Sequence, residues 1–296
     1  MPSSLINTAN PASLSSGFDP ASGCLLSICL EQELALIGLL RTDTGGAQLE
    51  DIAANPENSR DGQHLIAHIA DLLEAGAVSL DEIRAIAFSA GPGGFTRVRV
   101  ACAVAQGLAL GRGIGLIPID TMQARALAIR RTIEADESSA LPADADIDVV
   151  ILVDARMGEA FVGHYRVRAA GAWAAGGSPV QPLSPPVLVG LAALPQWLTA
   201  ALADQRGGQR RVLLAAEPGL LDEPACAALV TAQPPWFEHV PVPAGVTTVR
   251  AIHELARSVP VVPAAQAAPI YLRDKIALNI DEQAALRAAG HRKGAG

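Results

Sequence analysis

The segment that most constrains the fold runs from Ile83 to Asp120, where IRAIAFSA, GPGG, FTRVRVACAVAQGLALGRG and GLIPID follow one another almost without a break. An apolar β-rich run, a glycine turn, a helix stopped by Gly111 and Gly113, and a second apolar run read as strand, turn, helix and strand. The helix face at Val98, Cys102, Ala105 and Ala109 is made of small side chains, so another helix can approach it closely. A chain organised around such a unit is an α/β protein.

The flanking sequence extends the pattern. From Cys24, CLLSIC and LALIGLL form two apolar runs parted by Glu31, Gln32 and Glu33, which reads as a hairpin of buried strands. A polar loop is expected from Arg41 to Asp61. In GQHLIAHIADLLEAG, Leu65, Ile66, Ile69, Leu72 and Leu73 share one helical face, and Gly76 supplies the stop. After a surface connection over Arg131 to Asp148, VVILVDA and EAFVGHYRV open a second unit. Gly, Ala and Pro dominate Arg168 to Pro186. A helix near Leu191 to Leu202, a strand at VLLAA and a helix near Val249 to Ser258 follow. The expected division is a flexible extension over 1–23, one lobe over 24–120, a second over 121–277 and a loose tail over 278–296.

Composition narrows the function. Half of the 296 residues are hydrophobic, enough for a sizeable core, but aromatics are only 3%, which disfavours base stacking as the main activity. A net charge of −8 opposes a phosphate backbone, so contact with nucleic acid must be local or shared. The basic residues available for it are Arg97, Arg99 and Arg112, the group Arg125, Arg130 and Arg131, and the tail Arg287, Arg292 and Lys293, although each group also reads as a solvated face. Cys24, Cys29, Cys102 and Cys226 lack CxxC spacing and lie in apolar runs, which fits free thiols in a reducing cytoplasm. Residues 1–23 lack the cationic start and apolar centre of a signal peptide, and no apolar run approaches the roughly 18 residues of a membrane span.

At Gly91 to Arg99 the chain reads GPGGFTRVR, and here it resembles the TsaB family, whose usual form is GPGSFTGLR, in six of nine letters. LVDARMGEAFVGHY at Leu152 to Tyr165 is similar to that family's DAR-containing hairpin, and PIYLR at Pro269 to Arg273 to its C-terminal strand ending. The resemblance implies an actin-like (ASKHA, ribonuclease H-like) α/β fold of two lobes with a degenerate nucleotide site. It also implies a non-catalytic, cytoplasmic subunit of the tRNA threonylcarbamoyladenosine machinery. Such proteins pair through their first two helices with the TsaD transferase, with the ATPase TsaE assisting, and form homodimers when alone. Contact with tRNA is then indirect. On this chain the pairing surface is expected at Leu65, His68, Ile69 and Leu72 on one helix and Val98, Arg99, Cys102 and Ala105 on the next.

The residues themselves favour binding over chemistry. Gly91, Gly93 and Gly94 form a turn that tolerates φ > 0, and with Thr96 at the following helix start they can cradle an anion; a tight packing turn is the competing reading. Where the actin-like superfamily carries an Asp-Thr-Ser type motif on its first hairpin, this chain has Cys29, Leu30, Glu31 and Gln32. Cys29 is a poor magnesium ligand. Glu31 would repel a phosphate by roughly 1 kcal/mol at about 4 Å in water. No cofactor is expected, with ATP binding weak or absent, and no catalytic residue is assigned. His64 and His68 have the spacing of a metal pair but lack a third ligand, so no metal is expected. Asp154 and Arg156 can face the cleft or pair with each other. The alternatives are an ATP-dependent kinase or transferase using GPGG and Asp154, and, more remotely, a peptidase.

Overall fold

The computed structural model describes residues 17–30, 35–43, 46, 48–55, 62–136, 144–169, 177–203, 211–232, 237–242 and 245–272. Glu31, Gln32 and Glu33 at the first hairpin tip, Arg273, and the basic tail residues Arg287, Arg292 and Lys293 lie outside them.

The first sheet is built from β1 (Cys24–Leu30), β2 (Ala35–Thr42), β3 (Gln48–Asn55), β4 (Ile83–Gly91) and β5 (Gly115–Asp120), in the order β3-β2-β1-β4-β5. β1, β2 and β3 form an antiparallel meander, and β4 and β5 add in parallel on the other side of β1. All of β1 is buried because both its faces are covered. Leu26 and Ile28 face α1 (Gly62–Ala75) and α2 (Phe95–Ala109), while Leu25 and Cys29 face the opposite layer, which explains a continuous apolar run where a one-sided sheet would alternate.

The second sheet contains β6 (Ile147–Arg156), β7 (Glu159–Val167), β8 (Val180–Gly190), β9 (Val212–Ala216) and β10 (Phe237–His239), in the order β10-β9-β6-β7-β8. It repeats the first sheet's plan: a three-strand antiparallel meander, then two parallel strands beside its first member. Helices α4 (Leu194–Ala201), α5 (Pro218–Leu221) and α6 (Pro224–Ala232) cover its outer face, over a cluster that includes Leu152, Leu198 and Leu214.

Between the sheets lie α3 (Thr121–Ala135) and α7 (Val246–Leu255), packed on each other. α3 begins at Asp120, whose Oδ1 accepts from the N–H groups of Met122 and Gln123. It is buried on nearly every side, so its basic residues are not the exposed group that their spacing suggests. Arg130 donates to Glu134 and to the Ala145 carbonyl, both at 2.6 Å, and Arg131 pairs with Glu134 and with Glu254 of α7.

The structure differs from the sequence reading in four further places. The polar stretch 41–61 contains β3, whose Asp51 and Glu50 are committed to ion pairs with Arg41 and Arg250. The Pro-rich stretch before Pro186 belongs to β8, an edge strand where proline costs no ladder bond on its open side. The segment from Val246 onward returns to the first lobe: α7 packs on β1 and β2, and Leu116 pairs with Val262. Pro269 to Leu272 is not a strand but an irregular strap, tied to β4 by the Ile270 N–H donating to the Ala90 carbonyl at 2.7 Å.

Candidate functional site

A cavity of about 290 Å³ opens between the lobes at the glycine loop, at the small end of the range for ligand pockets. β4 ends at Gly91 with φ +106°, and a Cβ there would meet the Ile270 carbonyl oxygen at 3.1 Å, so glycine is needed for both reasons. The Gly91 N–H donates to Thr121 Oγ1 at 3.1 Å, fixing the loop to α3. Gly93 and Gly94 line the cavity with ordinary negative φ, so the left-handed freedom expected across the loop is used at Gly91 alone. Gly94 caps α2 without a side-chain acceptor, and Thr96 is exposed on its first turn, outside the cavity lining.

The opposite wall comes from the β6–β7 hairpin. Asp154 and Arg156 pair with each other at 3.1 Å, and Asp154 Oδ1 also accepts from the Arg156 N–H at 2.7 Å. Arg156, Met157 and Gly158 all have positive φ, so this pair closes a strained turn within the hairpin. Sequence reasoning missed the residue that ties this wall to the rest. Glu217, at the start of α5, accepts from the Asp154 N–H at 3.0 Å and pairs with Arg125 of α3 at 3.2 Å. Those two side chains are 14% and 8% exposed, a buried ion pair joining three elements across the cleft floor.

Cys29 is fully buried toward α3 and α7 and does not line the cavity, although its neighbour Leu30 does. A thiol near the end of β1 is a donor unsuited to a hard cation. His64 is exposed and His68 half-buried on α1. Among the described residues no cluster of three His, Cys, Asp or Glu side chains is arranged to hold a metal ion. Likewise, no described helix is long and apolar enough to cross a membrane.

On the helices, Leu65, Ile69 and Leu72 of α1 and Cys102 and Ala105 of α2 face the first sheet and are buried in the chain's own core, and Val98 is buried beside the glycine loop, so none of them is available to a partner. The sheet-facing side of an amphipathic helix takes the apolar residues first. The solvent side carries Ile66, which is 50% exposed, with Ala67, Ala70, Ala103 and Gly107. A Cβ added to Gly107 would meet nothing within 4 Å. His68 and Arg99 sit half-buried beside this face.

Two sheets of one repeated topology, with helices between and outside them and a glycine loop at the cleft, define an actin-like two-lobed α/β protein. Known proteins sharpen that class. Residues 57–180 match the family model for TsaD, tRNA N6-adenosine threonylcarbamoyltransferase. The chain is 33% identical over 111 residues to the tRNA threonylcarbamoyladenosine biosynthesis protein TsaB of Escherichia coli, covering 38% of this chain and 43% of that one. It is 34% identical over 99 residues to the TsaB of Haemophilus influenzae, covering 33% and 37%. The chain therefore spans less than half the length of these curated relatives. The fold of YeaZ from Pseudomonas aeruginosa superposes with a TM-score of 0.56 at 21% identity, over 84% of this chain and all of that one. A second structure from that organism, described as similar to peptidase YeaZ, gives 0.57 at 21% over 85% and 100%. Over the matched stretch the chain is similar to TsaB proteins, and its fold is that of the YeaZ structures.

Proposed function

We propose that this protein is a non-catalytic subunit that docks a TsaD-type transferase and supports threonylcarbamoyladenosine modification of tRNA next to the anticodon. The observation that carries this reading is the solvent face of α1 and α2, where Ile66, Ala67, Ala70, Ala103 and Gly107 form a bare surface of mostly small residues. A helix pair with little side-chain bulk lets a second pair approach closely and complete a four-helix contact. The same face is covered by a second copy when the partner is absent, a TsaE-type ATPase acts through the complex, and tRNA is met indirectly, in the cytoplasm. The cleft supports the non-catalytic half of the reading: its carboxylates are held in ion pairs, and the end of β1 offers a buried thiol.

The decisive experiment is calorimetric titration of the cognate TsaD-type subunit into this protein and into Ala103→Glu. The reading expects binding to the parent chain and none to the variant, because a carboxylate would be buried at the centre of the contact. Equal affinity for both would reject it. Titration with magnesium and ATP tests the alternative of an independent kinase or transferase, which requires tight binding with turnover.

A further inference from the structure

At the cleft end of the α1/α2 face, Arg99 stacks on two half-exposed aromatic rings. Its guanidinium carbon lies 3.1 Å from the centroid of Phe95 and 4.9 Å from that of Tyr271. Phe95 and Tyr271 are 43% and 50% exposed. Phe95 opens α2, while Tyr271 comes from the strap that returns to the first lobe, so the arrangement needs two distant parts of the chain. The strap is fastened independently: Gln106 Nε2 donates to the carbonyls of Ala264 and Ala267, both at 3.0 Å. Arg99 is thereby held in one place before anything binds.

Among the described residues Arg99 has no carboxylate partner; its hydrogen bond is to the Phe95 carbonyl, at a long 3.4 Å. Two arginines that line the cavity, Arg125 and Arg156, are by contrast paired with Glu217 and Asp154. The aromatic rings attract the flat faces of the guanidinium, and its N–H edge has the fork geometry that matches a carboxylate. Arg99 and Ala103 are four apart on one helix, so the stack is continuous with the bare face.

We infer that the Phe95–Arg99–Tyr271 stack is a preformed anchor that receives a carboxylate of the protein docked on the α1/α2 face. The inference rests on the reading of that face as the docking surface and adds the chemistry of the partner: an acidic side chain at the edge of its helical contact. Arginine and tyrosine are the residue types that dominate binding energy when preorganised at an interface. An RNA phosphate fits less well, because Asp71 and Glu74 are exposed on neighbouring α1 and the whole chain carries a charge of −8.

The test is titration calorimetry of the full chain with the cognate TsaD-type subunit at two salt concentrations, using Arg99→Ala, Arg99→Lys, Tyr271→Ala and the face variant Ala103→Glu. Arg99→Ala is expected to weaken binding about tenfold and to flatten its salt dependence. Arg99→Lys restores the salt dependence but only part of the affinity, since the charge returns without the fork. Tyr271→Ala weakens binding by a smaller factor. If Ala103→Glu abolishes binding while Arg99→Ala leaves it unchanged, the anchor is refuted and the docking face stands. If Ala103→Glu has no effect, the docking face itself is refuted. Loss of tRNA retention in Arg99→Ala, with partner affinity unchanged, overturns the inference in favour of nucleic acid. Unchanged thermal melting of each variant confirms that binding, not folding, is being read.

Discussion

Removing the Glu217 carboxylate by Glu217→Ala would leave the Arg125 guanidinium buried without its carboxylate partner. The pair measures 3.2 Å between Arg125 Nη1 and Glu217 Oε1, with side chains only 8% and 14% exposed, and Glu217 also caps the Asp154 N–H. Solvent screening is slight at that exposure, so the relevant cost is that of breaking a buried ion pair from one side, about 3–5 kcal/mol. For a chain of this size, each kcal/mol lowers the melting temperature by about 2–4 °C, so a drop on the order of 10 °C is expected in calorimetry. Replacing both partners together, Arg125→Met with Glu217→Leu, should recover most of the loss, because the apolar pair leaves no charge stranded. Far-UV circular dichroism during urea unfolding gives the free energies for the cycle. A cost for Glu217→Ala below about 1 kcal/mol, the range of exposed pairs, would refute the argument that this contact welds α3, β6 and α5 in a dry environment.

Three other outcomes are expected. Gly38→Ala should destabilise by about 1–3 kcal/mol in urea titration, since the new methyl would lie 2.4 Å from Val249 Cγ1 and 2.8 Å from the His253 ring, forcing α7 away from β2. Gly91→Ala should cost at least as much as a cap residue, about 1–2 kcal/mol, through its φ of +106° and the Ile270 carbonyl at 3.1 Å, and should loosen the strap as read by proteolysis after Leu272. Stability should fall as pH drops below the ordinary glutamate value of 4.5: burial acts to raise the pKa of Glu134, but its hydrogen bonds to Arg130 and Arg131 outweigh it and hold the folded value low. The stabilisation is thus complete above the unfolded value and lost as pH falls through the folded one, and Glu134→Gln should flatten this acid limb of the melting curve.

The sequence was most informative where one physical requirement dominated. The unit Ile83 to Asp120 was legible because doubly covered strands need continuous apolar residues and the turn between strand and helix needs glycine. α3 was not, because Arg125, Arg130 and Arg131 read as a solvated face, and it takes Glu217 and Glu254 from other elements, with Glu134 on α3 itself, to make their burial tolerable. β3 was hidden in the same way, its Glu50 and Asp51 looking like loop residues until paired with Arg250 and Arg41. For the helices, periodicity identified the apolar stripe except for Ile66, which it grouped with Leu65 and Ile69 and which faces solvent. The stripe serves the protein's own sheet, and the residues left for a partner are the small ones between its members, which carry little hydrophobic signal. Glu217 had no local signature at all; its role depends on two segments far away in the chain.

The return of Val246 to Leu272 to the first lobe also orders events at the ribosome. β1 and β2 emerge early, but Leu25, Leu36 and Leu40 find their cover in the layer completed by α7, more than two hundred residues later. The nascent first lobe therefore waits half-dressed while the second lobe is synthesised, and a shortened chain ending before Val246 would present a greasy sheet to chaperones instead of folding as an independent unit.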